Sequence, residues 1–440
     1  VSEVHVITCA QNATPVDKKA YNAITAYAKR RKAKLHVIPI RYRNPTSRWA
    51  SKDQGHDWWA EELDGWIRHR RFNIGQKLTV LADIMTQPTA NRPLNGYEIA
   101  AGAKSAIIGH PKLELKTVAT PQNRMPKIIS TTGCITRANY IPSKAGKIAE
   151  MHHVLGAAVV ELEANQKTFH LRQLVVDRSG TIQDLDYPIG QPRPEAIVLG
   201  DLHYYRRNQQ VWQATVDLIS RLNPKHIVLH DVLDFCSDSH HDQGDTARFW
   251  RHLSGVSVAD ELAHTMNGVQ WLCDEFPESK VVWVRSNHDE HLDRWAEGGM
   301  PRDIRNLPIW LQLKLEKTVN PHGLLVQHVY EKQHGATKNL RFLRTDESFV
   351  RKGVELGMHG HLGLNGARGS IASFGKIGVR SISGHSHTPG IRDGAYQVGT
   401  SSVMNMGYNK GPSSWLHTHC ILWANGKRTL VNCIDGRFGG

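Results

Sequence analysis

In the second half of the chain, short apolar runs stop abruptly at polar clusters. Ala196–Leu199 runs out at Gly200 and is followed by Asp201-Leu202-His203. His226-Ile-Val-Leu-His230 leads directly to Asp231, and Val281–Val284 leads to Arg285, Ser286 and Asn287-His288-Asp289. Val379–Ser383 is followed by Gly384-His385-Ser386-His387, and Gly357-Met358-His359-Gly360-His361 lies between these sets. Short apolar runs bounded by turn signals read as buried strands. Alternate residues of an extended segment point the same way, so Asp201 and His203 can aim at one point past a strand's end. In open α/β sheets, ligands bind beyond the carboxyl ends of strands, and each of these sets stands where a strand reading stops.

Between the strands the period changes to that of a helix. Asn208–Leu222 carries Val211, Thr215, Leu218, Ile219 and Leu222 on one face, and Val258–Phe276 reads as another helix. The first half opens as strand, helix, strand: Val4–Thr8, Pro15–Lys32 behind a Thr14 cap, and Leu35–Ile40. This order implies a parallel pair with a right-handed crossover. Further strands are expected at Leu78–Met85, Ser105–Gly109 and Lys127–Thr131. A hairpin is expected from Phe169–Val176 and Thr181–Asp186 about Asp177–Gly180. His419–Ala424 and Lys427–Asn432 flank Asn425-Gly426, the signal of a type I′ turn. A Trp-rich stretch with Trp49, Trp58, Trp59 and Trp66 reads as an irregular excursion or a partner-binding surface. No internal repeat stands out. Pro188–Pro194 holds three prolines and a glycine and suits a linker. It divides a basic α/β domain, residues 1–187, from a second domain, residues 195–440.

A length of 440 residues fits two domains. Six cysteines without a C-x-x-C pair argue against zinc ribbons and a disulfide framework, and fit a reducing cytoplasm. No apolar run approaches the roughly 20 residues of a membrane helix. The start lacks a secretory signature, and its first residue is not Met, which fits processing or truncation. Net charge is +14 and unevenly spread: residues 1–190 hold 27 Lys/Arg against 16 Asp/Glu, and the remainder 28 against 25. Such an excess fits a polyanionic partner, with DNA or RNA foremost, or a merely solvated basic surface. No phosphate-binding glycine loop is present.

Asp201, His203, Asp231, Asn287, His359, His385 and His387 form an O/N donor set without thiolate. This suits Mn, Fe or Zn better than Ca or Mg. Seven donors exceed one tetrahedral ion and fit two ions sharing a carboxylate. The order D-x-H, D-x-x-D, N-H-D, H and G-H-x-H stands here as Asp201-Leu202-His203, Asp231–Asp234, Asn287-His288-Asp289, His359 and Gly384–His387. It resembles that of the calcineurin-like metallophosphoesterases over about residues 195–435. Asn287–Trp295 and His359–Gly369 are further similar to a phage-encoded, T5-type branch acting in host DNA degradation.

The resemblance implies an αββα sandwich for the second domain and two divalent ions, Mn²⁺ foremost. Asp201, His203 and His387 would hold one ion, Asn287, His359 and His385 the other, and Asp231 would bridge them. His288 would sit over the substrate with Asp289 orienting its ring, and the ions would bring water to hydroxide near neutral pH. The glycine usual before the bridging Asp is His230 here. His328, ending an expected strand Leu324–His328, competes with His359 as ligand. His240, His241, Arg206 and Arg368 read as substrate contacts or as solvated loop and helix-start residues. Asp234 reads as a structural acceptor, and His291 and His361 as neighbours. The fold class does not choose a phosphoester. The basic half favours a DNase, with homo-oligomers expected. The alternatives are a phosphomonoesterase or cyclic-nucleotide phosphodiesterase, and a DNA-binding or assembly protein with a vestigial metal site.

Overall fold

A computed structural model describes residues 3–42, 58–121, 124–185, 192–238, 255–407 and 409–440. The fold is mixed α/β, with three sheets among the described residues. A four-stranded sheet has the order β2 (Lys34–Ile40), β1 (Glu3–Gln11), β8 (Gly156–Leu162), β9 (Phe169–Val175). A seven-stranded sheet runs β13 (Leu340–Leu343), β12 (Lys280–Val284), β11 (His226–Leu229), β10 (Ala196–Val198), β19 (Thr418–Leu422), β20 (Arg428–Ile434), β21 (Arg437–Phe438). Its first four strands are parallel. A ten-stranded sheet draws on both halves of the chain. It runs β14 (Val350–Arg351), β15 (Val354–Glu355), β16 (Ser381–Ser383), β18 (Ala395–Gln397), β17 (Gly390–Arg392), then β6 (Leu115–Val118), β7 (Lys127–Thr131), β5 (Ser105–Ile108), β4 (Leu78–Val80), β3 (Phe72–Ile74).

The period-2 burial of the strands sets the layers. Val198, Val228, Val282 and Cys420 face Ile382, Ile391 and Tyr396 of the ten-stranded sheet, in the same core as Ile7, Cys9, Ile107 and Ile128. The ten-stranded sheet therefore backs both smaller sheets. Ile197, Leu199, Ile227, Leu229, Val281 and Trp283 point the other way, into a helical layer. That layer is α4 (Gln209–Leu222), α5 (Val258–Glu275), α6 (Asn287–Glu297), α7 (Leu307–Val319) and α8 (Leu325–His334). α1 (Lys18–Arg30) covers the four-stranded sheet through Ala20, Ile24 and Tyr27. Shorter helices are α2 (Tyr97–Ala100), α3 (Lys144–His152) and α9 (Ile371–Phe374). Among the described residues, no helix is long and apolar enough to cross a membrane.

Several elements differ from their expected bounds. α1 starts at Lys18 because Asp17, not Thr14, caps it, accepting from Ala20 N at 3.0 Å. The strand expected over Leu78–Met85 stops at Val80. β9 pairs with β8, not with 181–185, and Asp186 lies outside the described residues. Asp177 folds that turn by accepting from Thr181 N, and the following residues bury Asp184 against the Arg172 guanidinium instead of extending a ladder. Leu324–His328 opens a helix, not a strand: Leu325, Val326, Val329 and Tyr330 make a helical face. The β19–β20 turn is longer than type I′. Gly426 has φ +78 while Asn425 keeps a negative φ, and Trp423 N donates to Lys427 O. Trp59 donates to Ala10 O and Trp66 packs on Tyr21, whereas Trp49, His240, His241 and residues 188–191 of the linker lie outside the described residues.

Candidate metal centre

The carboxyl ends of β10, β11, β12 and β16 deliver the polar sets to one place. Asp201 and His203 follow β10, Asp231 follows β11, Asn287 opens α6 after β12, and His385 and His387 follow β16. His359 arrives from the loop after β15. All these strands end beside one another because β10, β11 and β12 are parallel and β15, β16 and β18 are parallel across the shared core. Gly384 permits the approach: a Cβ there would stand 2.2 Å from Asp201 Oδ1. Four of the polar residues hold left-handed backbone, with φ of 41° at His203, 42° at Asp231, 76° at His385 and 57° at His387. For non-glycine residues this costs on the order of 1–3 kcal/mol each and clusters at functional sites.

Asp231 is the meeting point. His359 Nε2 lies 3.2 Å and His203 Nε2 3.8 Å from its Oδ2. On one side His387 Nε2 stands 3.3 Å from Asp201 Oδ2 and 3.0 Å from His203 Nε2. On the other, Asn287 Oδ1 stands 3.1 Å from both His359 Nε2 and His385 Nδ1. Three groups whose donor atoms converge closely enough for a metal ion share this carboxylate: Asp201–Asp231–His387, Asp231–His359–His385 and His203–Asp231–His288. A fourth, Asp234–Cys236–Glu261, is already satisfied within the protein, since Glu261 accepts from Cys236 N and Ser237 N and Asp234 from His203 and Arg206.

The donors fit a cation. Both carboxylate oxygens of Asp201 and Oδ1 of Asp231 are buried without a well-formed hydrogen bond, as is Nδ1 of His387. A buried carboxylate left in that state costs several kcal/mol unless a positive charge stands beside it. Burial, then the neighbouring Asp231 charge, pushes the Asp201 carboxyl well above the usual range. Burial acts likewise on Asp231 but is outweighed by His359 and His288, which hold it low. His385 is pushed down to about 4 by burial, and His387 is also held low. Neutral imidazoles beside carboxylates are what divalent ions take as ligands.

Surrounding groups set the tautomers. Asp234 Oδ1 accepts from His203 Nδ1 at 3.0 Å, so His203 turns its Nε2 lone pair toward Asp231. Asp234 is in turn gripped by the Arg206 guanidinium, which also donates to Met406 O. His288 Nδ1 donates to the Asp234 carbonyl at 2.8 Å. That carbonyl orients the ring, and the expected Asp289 contact is replaced. Asp289 instead accepts from Ser286 N and Trp283 Nε1, closing a capping box that fixes the first turn of α6 and hence Asn287 and His288. Burial raises Asp289 to about 7.

His230 is fully buried with neither ring nitrogen bonded, and its ring lies 5.5 Å from that of His359. His361 bonds Glu290 at 3.3 Å, and His291 packs 5.1 Å from His288. Arg368 is exposed on the loop beside His385. His328 sits on α8 facing Glu316, outside every donor group, whereas His359 stands in one with Asp231 and His385. Sequence reasoning did not find Trp415, whose ring stands edge-on to His387 at 4.1 Å. A lone Trp in a polar loop carries no signal of that contact.

No family model matches the chain, and no solved structure matches it. Protein A1 of Escherichia phage T5 is 33% identical over 395 residues, spanning 83% of this chain and 70% of that protein.

Proposed function

Because this chain belongs to the family of protein A1 of Escherichia phage T5, we propose that it is a phage DNase of the calcineurin-like metallophosphoesterase type. It would hydrolyse phosphodiester bonds with two divalent ions, Mn²⁺ foremost, in the host cytoplasm and in the service of host DNA degradation. The observation that carries the reading is Asp231, shared by three donor groups and flanked by orphaned buried ligand atoms. Asp201, His203 and His387 would hold one ion, Asn287, His359 and His385 the other, with Asp231 common to both. Bound ions would supply positive charge to the phosphoryl oxygens and bring the pKa of water near neutrality.

The chain's own residues do the rest. Asp234 keeps the proton on His203 Nδ1, leaving Nε2 for the centre. The Asp234 carbonyl commits the Nδ1 proton of His288, so the imidazolium form of the ring would carry its second proton on Nε2, to give to a departing alkoxide or to hold a phosphate oxygen. Ser286 and Asp289 hold that ring at the head of α6. The seven-stranded sheet, packed on the ten-stranded sheet and covered on its other face by helices, supports the αββ part of an αββα sandwich. The excess of Lys/Arg in residues 1–190 supports a polynucleotide substrate, since phosphate backbones attract such charge without sequence preference. Residues 1–187 would serve DNA binding or assembly into a homo-oligomer.

The test is incubation with plasmid DNA and, separately, with p-nitrophenyl phosphate in Mn²⁺. DNA should be cut and chelation should stop it. Asp231→Asn should lose both bound metal and cleavage. His288→Ala should keep metal and DNA binding while cleavage falls about 10²–10⁴-fold. Turnover of the monoester alone would overturn the nuclease reading in favour of a phosphomonoesterase, and a metal-loaded protein that binds DNA without cutting it would mark a binding protein.

A further inference from the structure

We infer that residues 3–175 are a second copy of the fold made by residues 196–434, joined to it about an approximate two-fold axis, with its metal ligands exchanged so that it holds no ion. The inference is about backbone and ligand positions and does not depend on what the second half's centre hydrolyses.

The strand pairings repeat. β1 is parallel to β2 and antiparallel to β8, which is antiparallel to β9. β10 stands in the same relations to β11, β19 and β20. In the ten-stranded sheet, β3-β4-β5-β7-β6 repeats β14-β15-β16-β18-β17, antiparallel, parallel, parallel, antiparallel in both runs. The runs meet at β6 and β17, which are equivalent and pair antiparallel, Gly390 with Lys116 and Ile391 with Leu115. Antiparallel pairing of equivalent strands is what a two-fold axis produces.

Loop hydrogen bonds repeat as well. Cys9 N donates to Gly133 O (3.2 Å) and Ile135 N to Cys9 O (2.9 Å); Asp201 N donates to Gly399 O (3.0 Å) and Ser401 N to Asp201 O (2.8 Å). The helix caps Asp17 and Asn208 donate to Ile135 O (2.9 Å) and Ser401 O (2.8 Å). The bridges Cys9–Cys134–Leu155 and Val16–Thr136 match Asp201–Thr400–His417 and Arg207–Ser402. A Cβ on Gly109 would press on Cys9 and Ile38, as one on Gly384 would press on Asp201 and His230.

These matches align Cys9 with Asp201, Gln11 with His203, Pro39 with Asp231, and Gly109-His110-Pro111-Lys112 with Gly384-His385-Ser386-His387. No carboxylate remains at those positions, and Lys112 occupies the chain position of His387. Its Nζ bonds Asn91 O (2.8 Å) and, across the junction, Asp393 Oδ1 (2.6 Å), where Arg92 also binds. The side chain that replaced a ligand now ties the two copies together. In the place of β12 the first copy has a single parallel bridge, Val37 with Ile67 (Val37 N to Trp66 O, 2.9 Å; Arg68 N to Val37 O, 2.9 Å), and the basic run Arg68–Arg71 follows it where Asn287 follows β12.

The test uses the full chain with the second centre silenced by Asp231→Asn and His387→Ala. Manganese resonance should then show background binding only. Adding Cys9→Asp, Gln11→His, Pro39→Asp and Lys112→His should raise it by one ion per chain. A natively folded variant binding no more manganese than its parent, or a silenced parent that still binds an ion lost on Lys112→Ala, would overturn the inference. A crystal structure of the unmodified chain decides the same point if the added substitutions prevent folding. Superposed by their strands, the Cα atoms of Cys9, Gln11 and Pro39 should fall on those of Asp201, His203 and Asp231 within a residue step, about 3.8 Å. Larger offsets would refute the equivalence.

Discussion

Gly384 and His419 show how closely single residues are constrained around the centre. A methyl group at Gly384 would collide with Asp201 Oδ1 and press on His230. Gly384→Ala should therefore cost about 1–3 kcal/mol of stability, as overpacking does, and weaken Mn²⁺ binding by displacing Asp201. Calorimetric titration of the folded variant checks this, and unchanged affinity would mean that Asp201 is not a ligand. His419 Nδ1 accepts from Gly200 N at 2.9 Å, and its Nε2 hydrogen meets Thr215 Oγ1 at 2.8 Å. Burial pushes this imidazole down to about 3, from an ordinary value near 6.5. The unfolded chain then binds the proton more readily, so stability is full above about pH 6.5 and is lost as pH falls toward 3, at up to about 1.4 kcal/mol per pH unit. His419→Asn keeps an acceptor for Gly200 N. Its urea midpoint should fall less steeply below pH 6 than the parent's; an equal slope would show that His419 does not titrate on unfolding.

At the scale of elements, α6 is built to present Asn287 and His288. Ser286 and Asp289 cap it reciprocally, and Trp283 on β12 adds a bond to Asp289. Ser286→Ala should cost about 1 kcal/mol and lower cleavage more than a remote substitution of equal cost, because the cap aims the two side chains. Equal losses would reduce Ser286 to a stability role. The strands that carry the centre were legible because each is a short apolar run ended by a polar set, as in Ile197–Asp201 and Val281–Asn287. The helix at Leu325 was not, because Leu324-Leu325-Val326 looks the same in either period until Val329 and Tyr330 settle it. Thr181–Asp186 misled for a different reason: Asp184 within it is drawn to the buried Arg172 guanidinium, which no local pattern reveals.

For the whole molecule, the ten-stranded sheet makes one apolar core from both halves, so the first half cannot be read as an appendage. Its kinship with the second half was hidden from the sequence because strand order and hydrogen-bond register persist where residue identity does not; Gly109-His110 is the visible remnant. The convergence of Asp201, His203, Asp231, His359, His385 and His387 was legible, in contrast, because each stands where a short apolar run ends in a polar set. The most direct measurement is anomalous diffraction from crystals grown with Mn²⁺. Two peaks are expected roughly 3.5–4 Å apart, both against Asp231, one beside Asp201 and His387 and the other beside Asn287, His359 and His385. Peaks elsewhere, or none at full occupancy of the protein with metal in solution, would contradict that assignment.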